Sequence, residues 1–106
     1  MKNNKVIFLG YLWPLIKALN SMEKVSLVCV GLEPNRIATD DTRVLCNYAG
    51  IKTFDASKIR SNKLLDRLLN KDIDLVVVGG FGQILDKKTL NLPTKGIINF
   101  HPSLLP

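Results

Sequence analysis

One histidine and two cysteines are all the imidazole and thiolate metal ligands that 106 residues provide. A structural zinc site needs a closed set of such ligands at short, regular spacings, which His101, Cys29 and Cys46 do not offer. Each cysteine stands in an apolar periodic segment, so both are expected as small buried hydrophobes rather than as a disulfide or a metal site. Long apolar runs are missing too. Runs such as Leu75-Val76-Val77-Val78 fall far short of the roughly 18 residues that a membrane-spanning helix needs. Near the N-terminus, Val6-Ile7-Phe8-Leu9-Gly10 follows Lys2-Asn3-Asn4-Lys5. It is too short for the apolar region of a secretory signal, and no small-residue cleavage site comes after it. The expectations are a cytoplasmic location and no membrane partner.

Acidic residues are outnumbered, 9 against 15 Lys+Arg, for a formal charge of +6. The basic residues are dispersed, with no arginine-rich stripe and no interleaved aromatics, so charge alone does not make this a nucleic-acid-binding chain. It is compatible with a well-solvated surface and equally with an anionic substrate such as a nucleotide, a polyglutamylated folate or tRNA. With 46% hydrophobic and 23% charged residues, the composition is that of an ordinary globular domain. The length suits one domain with one core, residues 1–106.

What is present is alternation. Val6-Ile7-Phe8-Leu9 reads as a buried strand ending at Gly10. Leu12, Leu15, Ile16 and Leu19 then fall at helical spacing, with Pro14 in the first turn. Val25-Ser26-Leu27-Val28-Cys29-Val30 is a second strand, expected to stop at Gly31 and Pro34. Thr39-Asp40-Asp41-Thr42 supplies cap candidates for a second helix, with Val44, Leu45, Tyr48 and Ala49 as its apolar face and Gly50 just past its end. Ile51-Lys52-Thr53-Phe54 is a short third strand. Ser61 or Asn62 caps a third helix with the stripe Leu64, Leu65, Leu68 and Leu69.

Ile73-Asp74-Leu75-Val76-Val77-Val78 runs into Gly79-Gly80 as a central parallel strand would, apolar because both faces are covered. A short helical turn between Asp86 and Leu90 precedes a fifth strand at Gly96-Ile97-Ile98-Asn99. This order predicts an α/β fold: a doubly wound, right-handed parallel sheet of Rossmann-like type with helices on both faces. Ligands of such sheets bind beyond the carboxyl ends of the strands, near the point where strand order reverses. The segments following the first, fourth and fifth strands are therefore where chemistry is to be sought.

The chain closes on Asn99-Phe100-His101-Pro102-Ser103-Leu104-Leu105-Pro106. In extended backbone, residues two apart point to one side, so Asn99 and His101 face one pocket and Phe100 turns away. An amide donor beside an imidazole suits acyl transfer between heteroatoms. The amide bonds a developing oxyanion, and the imidazole stabilises the same charge or carries protons. A lone Asn and His in a loop serve structure just as readily.

The octapeptide resembles the Asn-x-His-x-Ser-Leu-Leu-Pro signature of the 10-formyltetrahydrofolate-dependent formyltransferases. These enzymes formylate methionyl-tRNA, glycinamide ribonucleotide or nucleotide-linked amino sugars. Upstream, Val76-Val77-Val78-Gly79-Gly80-Phe81-Gly82-Gln83-Ile84-Leu85 is similar to the family's strand and aromatic turn before that signature. The resemblance implies that Phe81, Gly82, Gln83, Ile84 and Leu85 form an apolar wall for the pterin of the folate. It implies that 10-formyltetrahydrofolate is the formyl donor, and that Asn99 and His101 are two members of a catalytic Asn/His/Asp set. The family's aspartate lies further downstream, and Asp72, Asp74 and Asp86 are not in its place. These 106 residues are therefore expected to be an N-terminal catalytic-domain portion that is inactive alone, with Ser103, Leu104 and Leu105 shaping the loop.

The acceptor is less legible. Gly10-Tyr11-Leu12-Trp13-Pro14 has nothing like the Ser-Asn loop that holds the phosphate of glycinamide ribonucleotide. It also lacks the Gly-Thr-Pro usual in methionyl-tRNA formyltransferases, whereas Glu33-Pro34-Asn35-Arg36 partly matches their basic loop. An acceptor amine of the methionyl-tRNA type is the expectation. A nucleotide-linked amino sugar stands as the alternative, and a truncated, non-catalytic folate- or nucleotide-binding half-domain as a reading of another class. The sequence leaves oligomeric state open.

Overall fold

In a computed structural model of the chain, the described residues are 3–34, 37–56, 72–81, 91 and 93–100. Five strands and two helices are described: β1 (Asn4–Leu9), α1 (Trp13–Ser21), β2 (Val25–Leu32), α2 (Ile37–Tyr48), β3 (Thr53–Asp55), β4 (Leu75–Gly79) and β5 (Ile97–Phe100). The expected third helix at 61–69, and the turn between Asp86 and Leu90, lie outside the described residues. The strands form one sheet in the order β3-β2-β1-β4-β5, and every pair is parallel. This is the predicted Rossmann-like topology. Strand order reverses between β1 and β4, which places the first strand at the centre.

Alternation along β1 explains the layering. Val6 and Phe8 point to one face, where they pack with Ile16 of α1, Cys46 of α2, Val30, Leu32, Ile51 and Val77. Ile7 and Leu9 point to the other face, with Cys29, Ile73, Val76 and Val78. Val76, Val77 and Val78 are all buried, as a parallel strand covered on both faces requires. Each fully buried Val, Leu, Ile or Phe contributes on the order of 1.5–3 kcal/mol, so β1 and β4 hold the densest part of the core. Both described helices lie on the first face; the segments expected to cover the second are outside the described residues.

β2 departs from simple alternation. Val6 pairs with Leu27 but Ile7 pairs with Cys29, a register shift that inserts Val28 as a bulge. Val28 and Cys29 consequently share a face. Val25 and Leu27 before the bulge, and Val30 and Leu32 after it, all reach the helix-covered face.

Gly31 does not end this strand, contrary to expectation. It pairs with Leu9 on one side and Phe54 on the other. Its missing side chain makes room, since a Cβ there would stand 2.6 Å from Phe54 Cζ and 2.7 Å from Leu9 Cδ2.

The second helix corrects the sequence reading more sharply. It begins at Ile37, so the residues expected to cap it lie within its first turns. Its buried residues are Thr39, Thr42 and Cys46, spaced i, i+3, i+7 along one stripe. Val44, Leu45 and Tyr48, the predicted apolar face, are exposed at 67%, 39% and 94%; Ala49 is exposed as well. The end of the helix is as expected. Gly50 takes a left-handed φ of 75°. Its N–H donates to Asn47 O at 3.2 Å, and Ile51 N–H to Cys46 O at 2.8 Å. These are the paired bonds of a Schellman motif, with Ile51 and Cys46 in its apolar contact. Such closure fixes the helix rotation from its C-terminal end, which is why Cys46 and not Val44 faces the sheet.

Burial pushes the Cys46 thiol above its ordinary pKa. The folded chain therefore keeps a proton that the unfolded chain releases once pH exceeds the ordinary thiol range. The associated stability is present below that range and declines as pH rises through it. Alkylation of Cys46 by iodoacetamide at pH 8 should follow the opening of the whole domain and accelerate in step with urea unfolding. A rate near that of a free thiol in native buffer would show that Cys46 does not face the core.

Candidate active site

The carboxyl ends of β1, β4 and β5 stand side by side because of the strand order, and each ends in a segment singled out by the sequence. Leu9 leads to Gly10, whose φ of 123° is open to glycine and strained for other residues. Space demands glycine as well: a Cβ on Gly10 would stand 1.9 Å from Gly79 O. The backbone after β1 thus presses against the end of β4. The Gly10 N–H donates to Gly31 O at 2.9 Å and the Leu12 N–H to Gly79 O at 3.3 Å. Between these anchors, the Tyr11 carbonyl accepts a 2.7 Å bond from Thr42 Oγ1. Of the two threonines on the inward face of α2, Thr42 has this role, holding the turn that follows β1, whereas the buried Thr39 hydroxyl has no partner among the described residues.

Gly79 and Gly80 have matching reasons. A Cβ on Gly79 would stand 2.9 Å from Phe8 Cζ and 3.3 Å from Leu12 Cβ. Gly80, with φ 77°, lies under the Tyr11 ring, whose atoms come within 3.0–3.1 Å of the Cβ position. Phe81 follows, half-buried, and packs against the core on the face of Ile7, Leu9 and Val78. Asn99 is paired with Val78 and exposed. Partners in a parallel ladder share a face, so Asn99 and Phe81 lie on the same side of the sheet.

The structure thus brings two of the predicted site residues to one side of one sheet end. His101, Gly82, Gln83, Ile84 and Leu85 lie outside the described residues. Among the described residues no three His, Cys, Asp or Glu side chains form a group able to hold a metal ion, and no helix is long and apolar enough to cross a membrane. Sequence reasoning missed the contribution of Thr42, which it read as a cap candidate, and the contact of Tyr11 with Gly80. The available signal was the Gly79-Gly80 pair, since adjacent glycines at a strand end mark a place where something else comes close.

A doubly wound parallel sheet with an amide and an aromatic side chain at its carboxyl end defines a class of ligand-binding α/β domain. Within that class, the formyl transferase family model matches residues 15–106, and the chain belongs to that family. A methionyl-tRNA formyltransferase of Macrococcus caseolyticus is 32% identical across 97% of this chain and 36% of its own length. Another, from Alkaliphilus metalliredigens, is 29% identical across 96% of the chain and 35% of its own length. The crystal structure of a phosphoribosylglycinamide formyltransferase from Anaplasma phagocytophilum is similar with a TM-score of 0.69 and 33% identity, covering 99% of this chain and 53% of that one. The chain spans just over a third of the length of the curated relatives it matches.

Two substitutions test the geometry of this sheet end. Thr42→Val keeps the shape but leaves the Tyr11 carbonyl without its donor, and should cost about 1–3 kcal/mol. Urea midpoints with an unchanged denaturant slope would register it. Gly10→Ala combines a forbidden φ with a clash against Gly79 O, and should cost roughly 3 kcal/mol or more. A Gly10→Ala protein as stable as the wild type would mean that β1 and β4 do not approach as described.

Proposed function

We propose that the protein carrying these residues transfers a formyl group from 10-formyltetrahydrofolate to an acceptor amine, with an acceptor of the methionyl-tRNA type. The observation that carries this reading is Asn99 at the carboxyl end of β5, on the Phe81 side of the sheet, in a member of the formyl transferase family. The donor supplies the formyl group. Phe81 offers a half-buried apolar surface, which fits the flat face of the pterin ring, and residues 82–85 extend that wall in sequence. Asn99 supplies an uncharged N–H donor to the oxygen of the formyl group, on which negative charge builds as the amine adds. His101, two residues on, stabilises the same charge as an imidazolium, or as neutral imidazole takes the proton that the attacking amine must lose.

The acceptor assignment rests on methionyl-tRNA formyltransferases aligning with nearly all of the chain, and on its net positive charge of +6, which favours a polyanionic acceptor. A nucleotide-linked amino sugar is the second reading, favoured by the unusual turn Gly10-Tyr11-Leu12. Glycinamide ribonucleotide fits less well, because the Gly10 and Leu12 N–H groups are engaged within the protein.

In the full-length protein, Asn99→Ala should lower kcat by about 10²–10³-fold, or roughly 2.7–4 kcal/mol in the chemical step. Folate binding should hardly change, because the bond strengthens only as charge develops. His101→Ala should be more damaging still. His101→Asn should recover part of that loss and flatten the pH profile if the histidine acts mainly through charge, and should be as inactive as His101→Ala if it acts mainly as a base. Full kcat in both alanine variants, with the protein folded and folate bound, would make the octapeptide structural and this reading wrong.

A further inference from the structure

The turn after β1 occupies the point of strand reversal, where sheets of this kind take their ligands. An anion bound there would need backbone N–H groups directed at it. At Gly10 and Leu12 those donors are spent on Gly31 O and Gly79 O, and the Leu12 carbonyl accepts from Leu15 and Ile16 N–H. The Tyr11 side chain is a further surface that this turn offers to a ligand. It is partly exposed, and one edge of its ring, Cδ1, Cε1 and Cζ, rests on Gly80. Its backbone is fixed on three sides, by Gly10 against Gly79, by Leu12 N–H on Gly79 O, and by Thr42 Oγ1 on its carbonyl. The ring reaches from the end of β1 over the residue that follows β4, one strand away from β5 and Asn99. An aromatic ring carried on a backbone fixed in this way, and packed on Gly80, has little freedom to lose when another ring lies against it.

We propose that Tyr11 is a specificity-determining residue: its ring is the wall against which a planar, uncharged part of the acceptor, a nucleobase, stacks, at a turn whose Gly10 and Leu12 N–H groups are engaged within the protein rather than offered to a phosphate. The proposal rests on the formyltransferase reading for the word acceptor, while the stacking surface itself rests on geometry alone. Adenosine and inorganic phosphate are the probes, each titrated separately into the full-length protein while the amide of Gly80 and the ring of Tyr11 are followed by NMR. A folate analogue, 5-formyltetrahydrofolate, reports on the donor site in parallel.

Adenosine should shift the Tyr11 and Gly80 signals saturably. Its affinity should survive Tyr11→Phe and fall about 5- to 100-fold in Tyr11→Ala, the range expected for losing one base–aromatic stack. Tyr11→Leu, which keeps apolar bulk over Gly80 without a ring, should show the same loss and guards against a folding defect in the alanine variant. Phosphate should give no saturable shift between Gly10 and Leu12. Equal adenosine affinity in the wild type and the folded leucine variant, or saturable phosphate binding at this turn, would overturn the proposal. Failure of the folate analogue to bind the wild type would instead count against the formyltransferase reading, whatever adenosine does.

Discussion

The backbone of Gly10 runs so close to that of Gly79 that a single added carbon would stand 1.9 Å from the Gly79 oxygen. That approach joins the carboxyl ends of the two strands on either side of the order reversal, and the other features of this sheet end follow from it. With Gly10 against β4, the Leu12 N–H is in reach of Gly79 O and Tyr11 is carried over Gly80. Phe8 and Leu12 fill the space that a side chain on Gly79 would need. Three glycines are therefore required within one small region, for backbone contact, for core packing and for an aromatic ring respectively. Hydrophobic burial makes the sheet stable; the glycine contacts decide where its carboxyl ends stand.

Much of the fold was legible because parallel strands advertise themselves. A β4 that is apolar on both faces and stops at paired glycines has few other readings, and the alternation of strands with helical patterns restricts the topology to a few. The failures have equally physical causes. Glycine usually punctuates strands, whereas Gly31 continues one because Phe54 and Leu9 occupy its side-chain space. The bulge at Val28 switches the parity of β2, and an apolar run that includes valine and cysteine at the bulge gives no sign of the switch.

The second helix shows where composition misleads. Hydrophobicity nominates Val44, Leu45 and Tyr48 as the inward face, yet Thr39, Thr42 and Cys46 are the residues covered. The choice is not made by transfer energy alone. Thr42 offers a hydroxyl to the part-buried backbone carbonyl of Tyr11, a bond that contributes about as much as a buried methylene or two. Nothing in a single sequence says that Tyr11, thirty-one positions earlier, needs that donor. The candidate site was legible for a different reason. Asn99 and Phe81 were reached through resemblance to a family motif, and physical reading of the residues alone left catalysis and structure as open alternatives.

The two ends of the sheet are held together by different chemistry, and this bears on how Asn99 is placed. β5 is only four residues long, and Ile98, Asn99 and Phe100 are exposed, so side-chain burial contributes little to fixing its register. The amino end does that instead. Asp74 N–H donates to Lys5 O at 2.9 Å, and Lys5 N–H returns a 2.8 Å bond to Asp74 Oδ2. The Thr94 hydroxyl reaches Asp74 Oδ1 at 3.4 Å, Lys95 N–H donates to Asp74 O at 2.7 Å, and Val76 N–H donates to Gly96 O. One aspartate thus ties the beginning of β1 to the turn that launches β5. A polar bracket can carry this role at the amino end because the carboxylate there accepts bonds from backbone and side chain together, a charge-assisted arrangement stronger than neutral pairs. The carboxyl end is held instead by the close approach of Gly10 to Gly79 and by the Thr42 hydroxyl on the Tyr11 carbonyl. Asn99 consequently stands opposite Val78 with the help of bonds made at the far end of its own short strand, and it is exposed there.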